Sequence, residues 1–297
     1  MNLLEDASLN ARKDATELTE LVYTADSELR RPVQMLRSMY LDLLRSRGLA
    51  WRLFLRDLNG QYRQSLLGYL WLLLPPLVSM AIWVFLQSTN VVKFETTSIP
   101  YPVFVLTGLV LWEAFVAALT APLAVVEGAA PMLAKINFPR EALLLSAFAQ
   151  AMFQTGVRLL LLAAILLYFQ TSIGTGILMV PFGILSLMLL GFVVGILLIP
   201  LAMLYGDVGR TLQMITPVWF FITPAVYPAP STWPANVLTW ANPVSPLLIT
   251  TRQWLTDEPI TQAWSFAVVF LCTLGFLVVG WIAYRVAMPH VIARLSA

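Results

Sequence analysis

Six apolar stretches, each close to the length of a membrane-spanning helix, constrain what this sequence can fold into more than any other feature. A helix needs about 20 apolar residues to cross the hydrocarbon core of a bilayer. Charged residues make up only 11% of the 297-residue chain, whereas a soluble domain averages about 25%. The sequence therefore predicts an all-α integral membrane protein with six transmembrane helices, placed at about 66–88, 101–126, 142–169, 176–204, 211–228 and 262–284.

The segments that precede and follow these spans differ in charge. Residues 1–31 contain seven acidic and four basic residues, which predicts an acidic, solvated tail. Residues 32–64 contain six arginines, two aspartates and apolar side chains at helical spacing, which predicts one or two amphipathic helices lying in the membrane surface. We expect the membrane domain to cover 65–285 and a short terminus to cover 286–297.

The distribution of lysine and arginine predicts the orientation. With both termini in the cytoplasm, fifteen of the eighteen basic residues fall inside, two (Lys93 and Arg252) fall outside, and Arg158 lies within a span. Cytoplasmic loops carry an excess of such residues. We therefore expect a multi-pass membrane protein with both termini cytoplasmic.

The long outer segment at 228–261 alternates prolines with tryptophans. It is too apolar for a free loop and too interrupted by proline for a span. Two short interfacial or re-entrant helices, at about 233–241 and 244–256, fit this composition.

Two charged residues, Glu113 and Arg158, lie deep within predicted spans. At 1.5 Å per residue they lie about 18 and 16 Å below the outer ends of their helices. Charges within a membrane are rare and are usually paired, so we predict a buried ion pair between them. Its role is either structural or in gating and substrate contact.

Polar and aromatic side chains also recur along one face of the first span and of the fifth. Aromatic faces receive the apolar faces of sugar rings, and hydroxyl and amide groups exchange hydrogen bonds with sugars. The alternative is that these stripes are helix–helix packing surfaces. The candidate translocation-path residues are Tyr69, Trp71, Ser79, Trp83, Gln87, Gln213, Thr216, Phe220, Thr223 and Tyr227.

The entry to the first span has a recognisable pattern, Arg-Asp-x-x-x-x-Tyr-x-x-Ser-x-Leu-Gly-x-x-Trp, which begins at Arg56 and ends at Trp71. This pattern resembles that of the permease subunits of type-2 ABC exporters, which move lipid-linked polysaccharides such as O-antigen, teichoic acid and capsule. Further similarity lies at Leu133–Glu141 and across 223–252.

The resemblance implies a homodimer in the bacterial cytoplasmic (inner) membrane that forms a channel for a lipid-linked polysaccharide, with two copies of a cytoplasmic ATPase bound beneath it. It also implies that the inner loops contact the ATPase, through Leu133, Lys135, Phe138, Pro139, Arg140 and Glu141 in one loop and Asp207 and Arg210 in another.

The chain itself lacks the residues for ATP hydrolysis. None of its three lysines follows a glycine, which excludes a Gly-Lys-Ser/Thr phosphate loop. One histidine and one cysteine predict neither a metal site nor a catalytic triad. We expect this chain to bind no cofactor, and ATP and Mg²⁺ to be bound by the partner subunit.

Arginines on the predicted surface helix, Arg52, Arg56 and Arg63, are candidates for attracting the substrate's pyrophosphate, although anchoring to anionic membrane lipid would explain them equally well. No feature indicates a nucleic-acid partner. Other functions that the sequence permits are an ABC permease for a drug or small lipid, a secondary transporter, and a membrane scaffold.

Overall fold

The computed structural model describes residues 32–62, 65–92, 99–133, 139–171, 174–230, 232–233 and 235–295, and every regular element in these ranges is a helix. They are α1 (Pro32–Tyr62), α2 (Leu74–Ser88), α3 (Tyr101–Leu133), α4 (Glu141–Tyr168), α5 (Val180–Leu204), α6 (Asp207–Ile222), α7 (Ala235–Ala241), α8 (Val244–Thr256) and α9 (Ala263–Leu295), with short 3-10 helices at Gly68–Leu72 and Thr175–Met179.

The chain divides after Asp42 into two units. In the first unit the described residues are the beginning of α1, and the predicted acidic tail at 1–31 lies outside the described residues. The second unit, Leu43–Ala297, contains everything described below.

Helix α3 forms the centre of the second unit and packs against α4 and α5. Contact with α5 is close because two glycines of α5 face the backbone of α3. A Cβ atom on Gly191 would lie 2.3 Å from the carbonyl oxygen of Phe115, and one on Gly195 would lie 2.4 Å from that of Leu119. The glycines lie four residues apart on one helix face, which is the spacing that lets membrane helices approach closely.

Four helical segments are long and apolar enough to cross a membrane: Tyr101–Leu133, Glu141–Tyr168, Thr175–Leu204 and Ala263–Ala293. They coincide with four of the six predicted spans, and the first and last of them continue beyond the predicted cytoplasmic ends at 126 and 284. The other two predicted spans correspond to the shorter helices α2 and α6, so the predicted count of six is not confirmed.

Local backbone chemistry explains why α2 and α6 are short. Before α2, Gly68 has a φ of +52°, a left-handed conformation that suits glycine and interrupts the helix, and α2 begins with a proline in its first turn. After α6, Thr223 is extended and precedes a proline, which disfavours helical geometry in the residue before it. The α-helix in these two stretches therefore rises only about 22 to 24 Å.

Helices α7 and α8 lie at the positions predicted for two short outer helices. Asn242, between them, fixes the end of α6: its Nδ2 donates to Thr223 Oγ1 at 2.8 Å, and its Oδ1 accepts from Trp219 Nε1 at 3.0 Å. Whether α7 and α8 lie in the membrane surface or re-enter the membrane stays a prediction.

Arg252 of α8 is buried and holds the same segment. Its Nη1 donates to the carbonyl oxygens of Pro224 and Ala225, at 3.2 Å each, and its guanidinium lies 3.8 Å from the centre of the Phe104 ring. Burial lowers the pKa of Arg252 to about 10, although the Glu258 carboxylate acts in the opposite direction. The group therefore stays charged at neutral pH and anchors the outer end of α6 to the core.

Candidate functional site

A cleft of about 490 Å³ lies between α3 and α6, with one residue contributed by α2. Sixteen residues line it: Ser79, Leu109, Trp112, Glu113, Val116, Thr120, Leu123, Ala124, Glu127, Gly209, Leu212, Gln213, Thr216, Pro217, Phe220 and Phe221.

The lining residues follow the axes of their helices. On α3 they recur at intervals of three and four residues, which places them on one face. The first and last of these, Leu109 and Glu127, are separated by about 27 Å along the helix axis. The cleft therefore runs lengthwise between two helices, for a distance comparable to the hydrocarbon core of a bilayer.

Four of the predicted path residues line the cleft together: Ser79, Gln213, Thr216 and Phe220. The hydroxyl of Thr216 donates to the carbonyl oxygen of Leu212 one turn earlier, which leaves the hydroxyl oxygen as an acceptor. These residues come from α2 and α6, so the structure brings side chains of the two predicted stripes to one surface.

The other predicted path residues lie outside the lining. The Tyr69 ring packs against Phe153, with centroids 5.4 Å apart, and the Tyr227 hydroxyl donates to the Phe221 carbonyl oxygen at 2.7 Å. Thr223 is buried and bonded within the outer segment. Trp83 lies 6.5 Å from the ring of Phe221, while Trp71 is more than half exposed and Gln87 is partly exposed near the end of α2.

Sequence reasoning missed the whole α3 wall of the cleft except Glu113. Trp112 is at the centre of an aromatic group, with its ring centroid 5.7 Å from that of Phe220 and 6.3 Å from that of Trp219. Thr120 and Glu127 extend the polar surface toward the other end of α3. The signal was present as a polar and aromatic spacing of three and four residues within α3, but the high apolar content of that helix obscured it.

Glu113 and Arg158 lie side by side, with Arg158 Nη2 3.4 Å from Glu113 Oε2. The two side chains are unequally exposed, at 31% for the glutamate and 9% for the arginine. The carboxylate therefore belongs to the cleft wall, and the guanidinium lies behind it, between α3 and α4.

The loop between α3 and α4, which the sequence predicts to be the first inner loop, is only partly described, since Lys135 and Phe138 lie outside the described residues. Leu133 is buried at the end of α3, Pro139 is exposed, and Arg140 is half-buried. The remaining residue, Glu141, is buried at the start of α4.

Helix α9 holds the end of this loop through two residues that the sequence did not reveal. The Tyr284 hydroxyl donates to the Arg140 carbonyl oxygen at 3.2 Å, and Arg285 Nη1 donates to Glu141 Oε1 at 3.3 Å. Both bonds join residues 144 positions apart in the sequence. The only sequence signal was a tyrosine and an arginine adjacent to each other at the inner end of the last apolar stretch.

The second inner loop presents Asp207 and Arg210 at the start of α6. Their side chains form an ion pair of 3.3 Å, and each is 85% exposed. A pair this exposed contributes little to stability, which leaves both groups accessible to another molecule.

The surface arginines of α1 differ in their surroundings. Arg52 is exposed, whereas Arg56 donates to Asp57 at 2.8 Å and Asp57 in turn accepts from Gln150 Nε2 of α4 at 3.1 Å. Arg63 lies outside the described residues. The residues that join α1 to α4 are thus Asp57 and Gln150, while Arg52 presents its charge outward.

Within the described part of the chain, no group of histidine, cysteine, aspartate or glutamate residues could hold a metal ion. The cleft offers hydroxyl, amide, carboxylate and aromatic groups instead. Such a set can bind hydroxylated molecules along a path.

Comparison with known proteins finds similar sequences. No family model matches the amino-acid sequence of the chain. The chain is 25% identical over 196 residues to the O-antigen export system permease protein RfbA of Myxococcus xanthus, and the aligned region covers 66% of this chain and 73% of that protein. It is 24% identical over 246 residues to the protein of the same name from Klebsiella pneumoniae, which covers 78% of this chain and 91% of that protein.

Proposed function

We propose that this chain forms the membrane path of an ATP-driven type-2 ABC exporter for a lipid-linked, O-antigen-like polysaccharide. The single observation that carries the proposal is the similarity, over most of the chain, to two proteins named as O-antigen export permeases. The exporter would carry the glycan out of the cytoplasm across the inner membrane.

The cleft between α3 and α6 is the proposed glycan path. Its volume of about 490 Å³ lies within the range of known small-molecule sites, roughly 300–1,000 Å³. Apolar and aromatic walls favour the carbon faces of sugar rings, and a small number of polar groups provide replaceable hydrogen bonds. This combination suits a polymer that must slide, because each hydrogen bond can be exchanged for the next as the polymer moves.

Energy would enter from a separate ATPase subunit that binds ATP and Mg²⁺. We assign the contact with this subunit to the first inner loop, through Leu133–Glu141, and to the exposed Asp207–Arg210 pair. The first loop joins α3 to α4 and the second begins α6, so a force on both would reach both walls of the cleft. A homodimer with two ATPase copies completes the proposed assembly.

The membrane surface near α1 is the proposed entrance. Arg52 and Arg63 would attract the pyrophosphate that links glycan to lipid, with Arg56 weakened in this role by its bond to Asp57. The distribution of lysine and arginine along the sequence favours a cytoplasmic location for this face and for both termini. Six crossings would result if the 3-10 turn before α2 and the segment after α6 complete those two passages.

Co-expression with the ATPase encoded nearest to this gene tests the proposal. The two proteins should co-purify, and ATP hydrolysis in lipid should rise when lipid-linked glycan is added. Replacing Arg140 and Arg210 with alanine should weaken the association, whereas replacing the exposed outer residue Trp233 with alanine should not. A chain that moves its substrate in vesicles without ATP or ATPase would contradict the proposal and indicate a secondary transporter.

A further inference from the structure

The charge of the cleft lining points to which glycans can pass. Among the sixteen described residues that line the cleft, two are glutamates and none is lysine or arginine. Glu113 and Glu127 are fourteen residues apart on α3, which separates them by about 21 Å along the helix axis. A polymer that moved along the cleft would meet a carboxylate at each of these levels.

Arg158 does not cancel the negative charge that the cleft presents. The guanidinium lies 3.4 Å behind Glu113 and is 9% exposed, whereas the carboxylate is 31% exposed. The pair is therefore oriented with its negative end toward the cleft. Glu127, at the other level, is exposed.

Carboxylates interact differently with neutral, amine-bearing and anionic glycans. They accept strong, charge-assisted hydrogen bonds from sugar hydroxyls and pair with protonated amines. A uronate or phosphate-bearing repeat would instead lose hydration in the cleft without gaining a cation, and a charge removed from water without a partner is costly. Like-charge repulsion would add to that cost.

We propose that the cleft selects glycans whose repeating units are neutral or carry amines, and that it excludes polyanionic glycans. This inference rests on the proposed function and narrows its substrate class. It concerns the repeating units within the cleft and not the pyrophosphate, for which the proposed binding groups are the arginines of α1.

The cleft potential can be measured on the chain alone, because Cys272 is the only cysteine in the sequence. In a Cys272→Ser background, Gln213→Cys places a thiol in the cleft and Trp233→Cys places one on an exposed outer residue. Each thiol is reacted with thiosulfonate reagents of equal size that carry a trimethylammonium or a sulfonate group. Relative to the Trp233→Cys control, the ratio of cationic to anionic rates should rise for each carboxylate roughly 6 Å from the thiol, by about tenfold at low ionic strength and by about threefold at physiological salt.

Substituting the carboxylates separates charge from shape. Glu127→Gln should lower the rate ratio, and Glu113→Gln/Glu127→Gln should bring it to the control value. Since Glu113→Gln also alters the surroundings of Arg158, Glu127→Gln serves as the variant that leaves the ion pair intact. Equal ratios at positions 213 and 233, or a ratio that the double change does not move, would overturn the inference.

Protection of the Gln213→Cys thiol by soluble oligomers then tests the glycan class. The probes are a neutral maltohexaose, a glucosamine hexamer and a galacturonate hexamer. The first two should slow labelling severalfold more than the third, and the difference should shrink in Glu113→Gln/Glu127→Gln. Equal protection by the galacturonate hexamer would overturn the inference. If no oligomer protects while the chain still co-purifies with its ATPase, the cleft is not the glycan path and the inference fails, but the assignment as an exporter subunit stands.

Discussion

Helix α3 has two faces that are built in opposite ways. Toward α5 it meets two glycines at backbone distance, and that side of α5 is buried along its length. Toward α6 it borders the cleft, and no residue of α6 is buried. One face is therefore fixed by backbone contact, whereas α6 meets the other face through side chains such as Trp219 and Phe220. The proposed glycan path would use this difference, because side-chain contacts with α6 can rearrange while α3 stays fixed against α5.

The contact between α3 and α5 should be the more sensitive of the two. Gly191→Ala and Gly195→Ala would each place a methyl group against a carbonyl oxygen of α3, and overpacking of this kind typically costs about 1–3 kcal/mol. The double variant should show the largest loss of thermal stability in detergent of all the changes discussed here. Gly275→Ala, in α9, is the matched control because nothing lies within 4 Å of its added methyl. Equal melting temperatures for the two substitutions would show that α3 and α5 are less closely packed than described.

The ion pair at the edge of the cleft should give a smaller effect. Arg158→Leu leaves the Glu113 carboxylate without this cation in a mainly apolar wall, and we expect a loss of roughly 1–3 kcal/mol, because Glu113 retains part of its exposure. Arg158→Leu/Glu113→Leu removes both charges and should recover part of the stability. Unfolding measured for both single variants and the double variant gives the coupling between them. Additive losses would show that the two residues act independently.

The bond between α9 and the first inner loop should contribute less again. Replacing Arg285 or Glu141 with alanine should each destabilise the chain, with a coupling of about 1 kcal/mol between them, since both side chains are largely buried. Arg285→Ala should reduce ATP hydrolysis stimulated by substrate more than it reduces co-purification with the ATPase, because the loop loses its support while its own residues are unchanged. Loss of co-purification at unchanged stability would instead place Arg285 in the subunit contact.

Much of this fold could be predicted from the length of the apolar stretches and from the prolines and glycines that bound them. The predicted spans that begin at 101 and 176 start at or within one residue of the corresponding helical segments, because a proline or glycine marks each entry. The depth of Glu113 and Arg158 could be counted along their helices in the same way. The sequence did not reveal which neighbouring helix each helix face packs against.

The orientation of a helix face depends on contacts between residues that are distant in the sequence. For this reason the α3 wall of the cleft and the contacts of α9 with the first inner loop were not predicted. In a helix as apolar as α3, periodicity hardly distinguishes the face toward α5 from the face toward the cleft. The bounds of α2 and α6 differ from those of the predicted spans for a different reason. Their apolar composition continues past the point at which the backbone leaves the helix, at Gly68 and at Thr223.

Changes within the cleft should leave stability nearly untouched and still impair transport. Gln213→Ala and Ser79→Ala each remove a polar group that lines the cleft and is at least partly exposed, so the free energy of unfolding should stay within about 0.5 kcal/mol of that of the parent chain. Stimulation of the ATPase by lipid-linked glycan should nevertheless fall severalfold, because fewer hydrogen bonds guide the polymer. Met214→Ala is the matched control, since Met214 is 77% exposed on the same helix and does not line the cleft. If Met214→Ala impaired stimulation as much as Gln213→Ala, the whole surface of α6 and not the cleft would carry the effect, and the contrast between the two faces of α3 would lose its functional meaning.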